Sequence, residues 1–145
     1  MSAFNVDEIG KITQGFIRSD KHLAYSPNVM ETDSRHILIR AENLFSSLYC
    51  QITNDLKLIL AWTELQRKLH MQTPNKINKY LVYVIPESVV KNNNLYEELS
   101  RAESNEFFFR KVFIDIPDGY DKKLVEGSLR RRIPIWMADR EKTLH

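Results

Sequence analysis

Apolar residues follow two different spacings along this chain, and the two spacings alternate. Short, nearly continuous apolar runs are typical of strands covered on both faces, whereas apolar residues that recur every three to four positions predict amphipathic helices. The runs predict strands at His36–Arg40, Leu44–Ile52, Tyr80–Ile85 and Phe107–Ile116. The helical spacing predicts helices that begin after Asn5, after Thr53 or Asn54, after the asparagines 92–94, and at Asp121.

The order of these elements, α-β-β-α-β-α-β-α, predicts the fold class. We expect an α/β protein with a mixed β-sheet of about four strands, made from an N-terminal hairpin and two crossover units and covered by helices. The strongest predicted helix runs from Asp55 to Met71, and Pro74 ends it. The chain of 145 residues is expected to form one domain, with an α/β core at 36–138 and a polar tail at 139–145.

The segment from Arg18 to Arg35 shows neither spacing and is predicted to be a long loop. Loops of more than about 12–15 residues are uncommon in compact domains and are often functional. Residues 1–35 are therefore predicted to be a helix followed by a loop that is a candidate for ordering by a partner.

Composition and charge exclude several classes of protein. The net charge is +2 and the hydrophobic fraction is 43%, so neither nucleic acid binding nor disorder follows from composition. A single cysteine excludes an internal disulfide and a multi-cysteine zinc site, and it favours a reducing compartment such as the cytoplasm. No signal peptide and no apolar stretch of about 20 residues is visible, so we expect no membrane segment.

Catalytic signatures are weak throughout the chain. Neither Gly-x-x-x-x-Gly-Lys-Ser/Thr nor Gly-x-Gly-x-x-Gly occurs, so no nucleotide cofactor is predicted. The single thiol, Cys50, is predicted to be an inert core residue. A divergent Mg²⁺-dependent nuclease that uses Glu42, Lys111 and Asp115 remains an alternative. The four histidines lack metal-ligand spacing and are expected at the surface or at strand edges: His22, His36, His70 and His145.

Two adjacent cations interrupt the strand from Phe107 to Ile116. Arg110 and Lys111 must leave the sheet in opposite directions, because successive strand residues point to opposite faces. Such a strand holds a core together while it offers one cation to another chain or to an acidic neighbour.

The end of the last predicted helix carries the other candidate contacts. Arg130, Arg131 and Arg132 complement the helix dipole, or they form a patch for phosphates or for an acidic protein surface. Trp136 either folds back into the core or anchors in a groove of a partner. With Lys111, the three arginines also support an alternative function as a small nucleic-acid-binding module.

A combination of segments within residues 37–136 resembles a known family. The segments are the strand Tyr80-Leu81-Val82-Tyr83-Val84-Ile85-Pro86, the helix from Leu95 to Glu103, the motif Glu106-x-x-x-Arg110-Lys111-Val112-x-Ile114-Asp115-Ile116, and Ile133-Pro134-Ile135-Trp136. They resemble the small middle components of ABC three-component systems, which include the middle subunit of Lamassu anti-phage systems.

This resemblance implies a function without catalysis. In such systems an SMC- or Rad50-like ATPase senses DNA, an effector, often a nuclease, acts, and the middle component bridges the two. We therefore expect a non-enzymatic, cytoplasmic adaptor subunit in a hetero-oligomer, without a cofactor, that meets DNA only through the complex. The residues predicted to bind partners are Arg110, Lys111, Arg130, Arg131, Arg132 and Trp136.

Overall fold

A five-stranded sheet with helices on both faces forms the framework of the protein. The computed structural model describes residues 3–19, 26–42, 46–73 and 78–133. In chain order the elements are α1 (Val6–Ser19), β1 (Ser26–Thr32), β2 (His36–Glu42), β3 (Ser46–Thr53), α2 (Leu56–Leu60), α3 (Trp62–Gln72), β4 (Asn78–Pro86), α4 (Glu87–Asn92), α5 (Tyr96–Ser104), β5 (Arg110–Ile116) and α6 (Lys122–Arg132). The α/β class is confirmed, and the strand count rises from about four to five.

The strands lie in the order in which they occur in the chain, β1-β2-β3-β4-β5. The first three strands are antiparallel, and β3, β4 and β5 are parallel. The predicted mixed sheet, with a hairpin and two crossovers, is confirmed. Strands β1 and β5 are its two edges.

The additional strand lies in the segment predicted to be a loop, and that prediction was wrong for Ser26–Thr32. This segment pairs with β2 along its length, and the register shifts between Val29 and Glu31, which marks a bulge. An edge strand buries little of its surface, so it needs no apolar run. Pro27 is tolerated there, because an edge strand can leave one side of its backbone unpaired.

Two separate apolar layers cover the sheet. Helices α1 and α6 cover one face, hereafter the α1–α6 face, and helices α2 to α5 cover the other, the α2–α5 face. Residues of β3 alternate between the layers as predicted, with Cys50 in the first and Tyr49 in the second. Cys50 is fully buried, and burial raises the pKa of its thiol to about 12, so the thiol is unreactive in the folded protein.

The predicted helix from Asp55 to Met71 is two helices, separated at Ala61. The Tyr83 hydroxyl donates to the carbonyl of Leu58 at 3.4 Å, and a continuous helix would use that carbonyl for the N–H of Trp62. A tyrosine of the core thus contacts the helix at the break, a contact that the sequence pattern of the helix alone does not show.

The asparagines 92–94 end a helix and do not begin one, which corrects the predicted cap. Asn94 has a φ of 52°, and the N–H of Leu95 donates to the carbonyl of Val90 at 3.0 Å. These are the features of a helix C-terminus with one residue in the left-handed conformation. Helix α5 then begins at Tyr96, so two short helices form the crossover between β4 and β5.

Candidate protein-interaction site

A tight turn precedes β5, where the sequence predicts a continuous strand from Phe107. The strand begins only at Arg110. The N–H of Phe109 donates to the carbonyl of Phe107 at 2.8 Å, and Phe108 between them has a φ of 68°. A hydrogen bond across three residues with a positive central φ defines a γ-turn of the rare, strained kind. Residues in such conformations persist only where their surroundings hold them.

The turn displays two aromatic side chains to solvent. Phe107 is 67% exposed and Phe108 is 40% exposed, and their ring centroids lie 4.6 Å apart. We call these two residues the diphenylalanine turn. The His70 ring lies 4.2 Å from the Phe108 ring, and Met71 beside it is exposed at the end of α3. Large apolar side chains grouped at the surface mark interaction sites more often than single ones do.

A buried ammonium holds the backbone of this turn. Lys111 Nζ donates to the carbonyl of Phe107 at 3.2 Å, to the carbonyl of Phe109 at 3.0 Å and to Gln66 Oε1 at 2.7 Å. Three N–H donors thus meet three acceptors, which is the full capacity of the group. Lys111 is only 2% exposed, and burial lowers the pKa of its ammonium, an effect that the charge of Glu106 opposes.

The neighbouring cation lies outside. Arg110 is exposed, and its Nε lies 3.4 Å from Glu106 Oε1. The prediction that the two cations leave the strand in opposite directions is confirmed. Of the pair, Arg110 lies beside the diphenylalanine turn at the surface, whereas Lys111 contacts the turn from within the protein. Lys111 is therefore buried, whereas the other predicted contact residues that the structure describes are exposed.

The three arginines of α6 have three different environments. The guanidinium of Arg130 lies 5.2 Å from the centre of the Phe16 ring on α1. Arg131 is exposed. Arg132 donates to Glu103 Oε1 at 2.6 Å and to the carbonyl of Phe113 at 3.3 Å, so it is fixed against the edge strand β5.

Helix α1 adds a further cation near the first two of these arginines. Tyr120, just before α6, lies close to Asn5 and Glu8 at the start of α1, and the guanidinium of Arg130 lies over the ring of Phe16 near the end of α1. The two helices therefore run in the same direction. Arg18, in the last turn of α1, and the arginines at the end of α6 thus lie at the same end of the α1–α6 face.

The residues of the nuclease alternative are not brought together. Glu42 is paired in register with Ser47 at the amino end of β3, whereas Asp115 is paired with Ile85 near the carboxyl end of β4. The ammonium of Lys111 is hydrogen-bonded to the carbonyls of the turn. Within residues 3–19, 26–42, 46–73 and 78–133, no group of three or more His, Cys, Asp or Glu side chains has the geometry to hold a metal ion.

Two of the four histidines lie in the described ranges, and both have structural contacts. His36 Nδ1 lies 3.0 Å from Gln51 Oε1, beside the turn between β1 and β2. In that turn Asp33 accepts the N–H groups of Arg35 at 2.7 Å and His36 at 3.1 Å, and these hydrogen bonds help to lower the pKa of its carboxyl group. The network closes the hairpin between β1 and β2.

The diphenylalanine turn was not predicted from the sequence, because three consecutive phenylalanines are typical of a buried strand. A local signal was nevertheless present. Asn105 stands two residues before Phe107, and its Oδ1 accepts the N–H of Phe107 at 2.9 Å. Asparagine favours such turns, so it marks a turn at the point where the apolar run begins.

Some predictions fall on other parts of the chain. Trp136, Pro134 and the polar tail at 139–145 lie outside the described residues. In the parts of the chain that the structure describes, no helix has both the length and the apolar character required to cross a membrane.

Comparison with protein-family models, with curated proteins and with solved structures finds no match in any of the three. The resemblance to the middle components of ABC three-component systems therefore remains a prediction.

Proposed function

We propose that this protein is a non-catalytic adaptor subunit of a cytoplasmic anti-phage defence complex. In this proposal it bridges an SMC- or Rad50-like ATPase and an effector, such as a nuclease, and it restrains the effector until DNA is sensed. DNA is contacted through the complex, and the subunit itself needs no cofactor. The observation that carries the proposal is the exposed diphenylalanine turn, which a buried lysine holds in a strained conformation.

The turn has the properties of a binding anchor. Covering the exposed parts of both rings removes on the order of 200 Å² of apolar surface from water. At roughly 25 cal/mol per Å², this corresponds to a favourable hydrophobic free energy of about 5 kcal/mol. The hydrogen bonds of Lys111 fix the turn before any partner arrives, so binding loses less conformational entropy than it would with a flexible loop. A fixed aromatic pair suits a groove on another protein.

An adaptor that bridges two partners needs two contact surfaces, and a second one is available. Arg18, Arg130 and Arg131 give the α1–α6 face a basic end. Phe108 packs on His70 of α3, and that helix covers the opposite face of the sheet. An aromatic surface and a basic surface that belong to opposite faces would allow two different chains to bind at once.

Affinity purification from the native host tests the proposal. We expect the tagged wild-type protein to recover an SMC- or Rad50-like ATPase and a second effector chain. With the double variant Phe107→Ser/Phe108→Asn, the recovered amount of at least one of these two chains should fall below about a tenth of the wild-type amount. Asparagine is chosen because it tolerates the positive φ at residue 108.

The matched control for this experiment is Leu60→Ser, which removes another exposed apolar side chain, 42% accessible, from helix α2. It should leave recovery unchanged. Recovery of the wild-type protein alone, as a stable monodisperse species, would contradict the adaptor function. Full recovery by the double variant would instead exclude the diphenylalanine turn as the contact.

The basic end of the α1–α6 face also favours a second candidate function, binding of nucleic acid by the isolated protein. Binding to a short DNA duplex should then weaken steeply with salt, and Arg130→Gln/Arg131→Gln should reduce the salt dependence. No binding at low salt would eliminate this candidate. The same preparation, incubated with DNA and Mg²⁺, tests the nuclease alternative, which predicts cleavage that replacement of Asp115 and Glu42 by alanine abolishes; no cleavage by the wild type would eliminate it.

A further inference from the structure

A cavity of about 280 Å³ lies between helix α5 and the edge strand β5, away from the diphenylalanine turn. Its floor is apolar and its rim is polar. The floor consists of Ile85, Val90, Leu99 and Phe113, and the rim consists of Tyr96, Ser100, Glu103, Asp115 and Arg132. An apolar floor with a few convergent polar groups is the usual composition of a binding pocket.

Two charged groups on the rim are already used by the protein. Glu103 Oε1 accepts the N–H of Phe113 at 2.8 Å, and Arg132 donates to the carbonyl of the same residue at 3.3 Å. The two side chains also pair with each other at 2.6 Å. Together they occupy the backbone positions that a neighbouring strand would use, so neither is available to a ligand.

The third charged group on the rim is different. Asp115 accepts a hydrogen bond from the Tyr96 hydroxyl through Oδ2 at 3.4 Å, and no ion pair joins it to a lysine or arginine of the described chain. The nearby cation Lys91 is bound to Glu87 at 2.7 Å and interacts with Asp115 only electrostatically, without an ion pair. Within the part of the chain that the structure describes, Asp115 therefore presents a carboxylate at the mouth of an apolar cavity, and its Oδ1 accepts no hydrogen bond there.

We propose that this cavity binds the side chain of a lysine or an arginine from an extended segment of a partner protein. The aliphatic stem of such a side chain would pack on the apolar floor, while the cationic head meets the carboxylate of Asp115. The half-exposed ring of Tyr96 stands at the rim, where it can contact the same cation. The apolar floor thus matches the stem of one basic side chain, and Asp115 and Tyr96 both match its cationic head.

The edge strand explains why the occupant is a segment of protein. Alternate residues of a strand direct their main-chain groups to the same side, so the N–H and C=O of Asp115, like those of Phe113, face the edge of β5 that no other strand of the described residues covers. Within the described chain neither group has a partner. An extended segment would bond to the N–H and C=O of Asp115, beyond the stretch that Glu103 and Arg132 occupy, while its basic side chain enters the cavity.

This inference goes beyond the adaptor function, because it concerns a separate surface and does not depend on which protein binds the diphenylalanine turn. It is tested by titrating the full chain with acetylated, amidated pentapeptides, Ala-Ala-Arg-Ala-Ala and Ala-Ala-Lys-Ala-Ala, and recording amide chemical shifts by NMR. We expect saturable shifts around Leu99 and Asp115 at millimolar peptide, and no comparable shifts with Ala-Ala-Gln-Ala-Ala.

Variants separate this site from general charge attraction and from the turn. Asp115→Asn keeps the shape of the side chain but removes its charge, and it should lower the affinity for the Arg and Lys peptides about fivefold. Asp118→Asn, which removes an exposed carboxylate three residues along the chain, should leave affinity unchanged, as should Phe107→Ser/Phe108→Asn. Equal affinity for the Gln peptide, no effect of Asp115→Asn in a folded protein, or no saturable shifts would each overturn the proposal.

Discussion

Replacement of Lys111 by methionine tests whether the buried ammonium holds the diphenylalanine turn. Methionine has a similar length and fills irregular space in a core, but it donates no hydrogen bond. The change therefore removes the donor for Gln66 Oε1 and for the carbonyls of Phe107 and Phe109. It leaves the packing around Trp62, whose ring centre lies 5.6 Å from Lys111 Nζ, nearly unchanged.

The expected cost follows from which acceptors are left without a donor. The carbonyl of Phe107 keeps the N–H of Phe109, but Gln66 and the carbonyl of Phe109 lose the bonds that Lys111 supplies. Each buried acceptor without a partner costs about 1–3 kcal/mol, and loss of the buried charge returns part of this sum. We expect Lys111→Met to lower the free energy of unfolding by about 2–3 kcal/mol.

Urea unfolding at neutral pH, followed by circular dichroism, measures this change. The double variant Lys111→Met/Gln66→Leu should recover about 1 kcal/mol, because it removes one of the two unpaired acceptors together with its donor. A change within about 0.5 kcal/mol of wild type for Lys111→Met, which is the size of an ordinary surface effect, would refute the structural role of the ammonium.

The same pair of proteins has a predictable pH dependence. Burial lowers the pKa of Lys111 in the folded state below its ordinary value of 10.5. Between the folded pKa and 10.5 the unfolded state binds more protons, so the stability of the wild type rises with pH in this window. Lys111→Met lacks this contribution, and the stability difference between the two proteins should therefore grow as the pH approaches 10.5. Other groups, such as Lys79, contribute equally to both proteins and cancel.

Three further predictions concern other parts of the fold. Arg132→Ala should expose the edge strand beside Glu103, and sedimentation should then show concentration-dependent self-association that the wild type lacks; a strictly monomeric variant would contradict this. Gly10→Ala should destabilise the protein by about 1 kcal/mol, because the overlap of the new Cβ with Ile37 Cδ1, 2.6 Å away, costs more than alanine gains over glycine inside a helix. Ile37→Val in the same chain removes that Cδ1 and should restore most of the lost melting temperature. Cys50 should resist iodoacetamide at pH 8 in the native protein and react in urea; rapid native labelling would show that the thiol is reachable.

The interior of the fold could be predicted from sequence, because burial leaves a regular trace. The apolar runs at β3, β4 and β5 and the alternation around Cys50 follow directly from a sheet covered on both faces. Strand β1 left no such trace. It lies at an edge, where polar residues are tolerated and only pairing with β2 defines the strand.

The candidate site was only half visible in the sequence, for a physical reason. The sequence shows that Arg110 and Lys111 interrupt an apolar strand. It does not show which of the two side chains is buried, because that depends on where the strand begins. The turn at Phe107–Phe109 and the partner Gln66, which lies 45 residues earlier, fix that choice. Contacts so distant in the chain leave no periodic signal.

The change from antiparallel to parallel pairing at β3 also bears on how the chain folds. Connections of three residues, 33–35 and 43–45, separate the first three strands, whereas 54–77 and 87–109 separate the last three. Contacts that are close in sequence form sooner, because little chain entropy is lost before they close. We expect the meander of β1 to β3 to form first and to serve as the template on which β4 and then β5 add. Substitutions in β3 should then mainly slow folding, whereas substitutions in β5 should mainly speed unfolding.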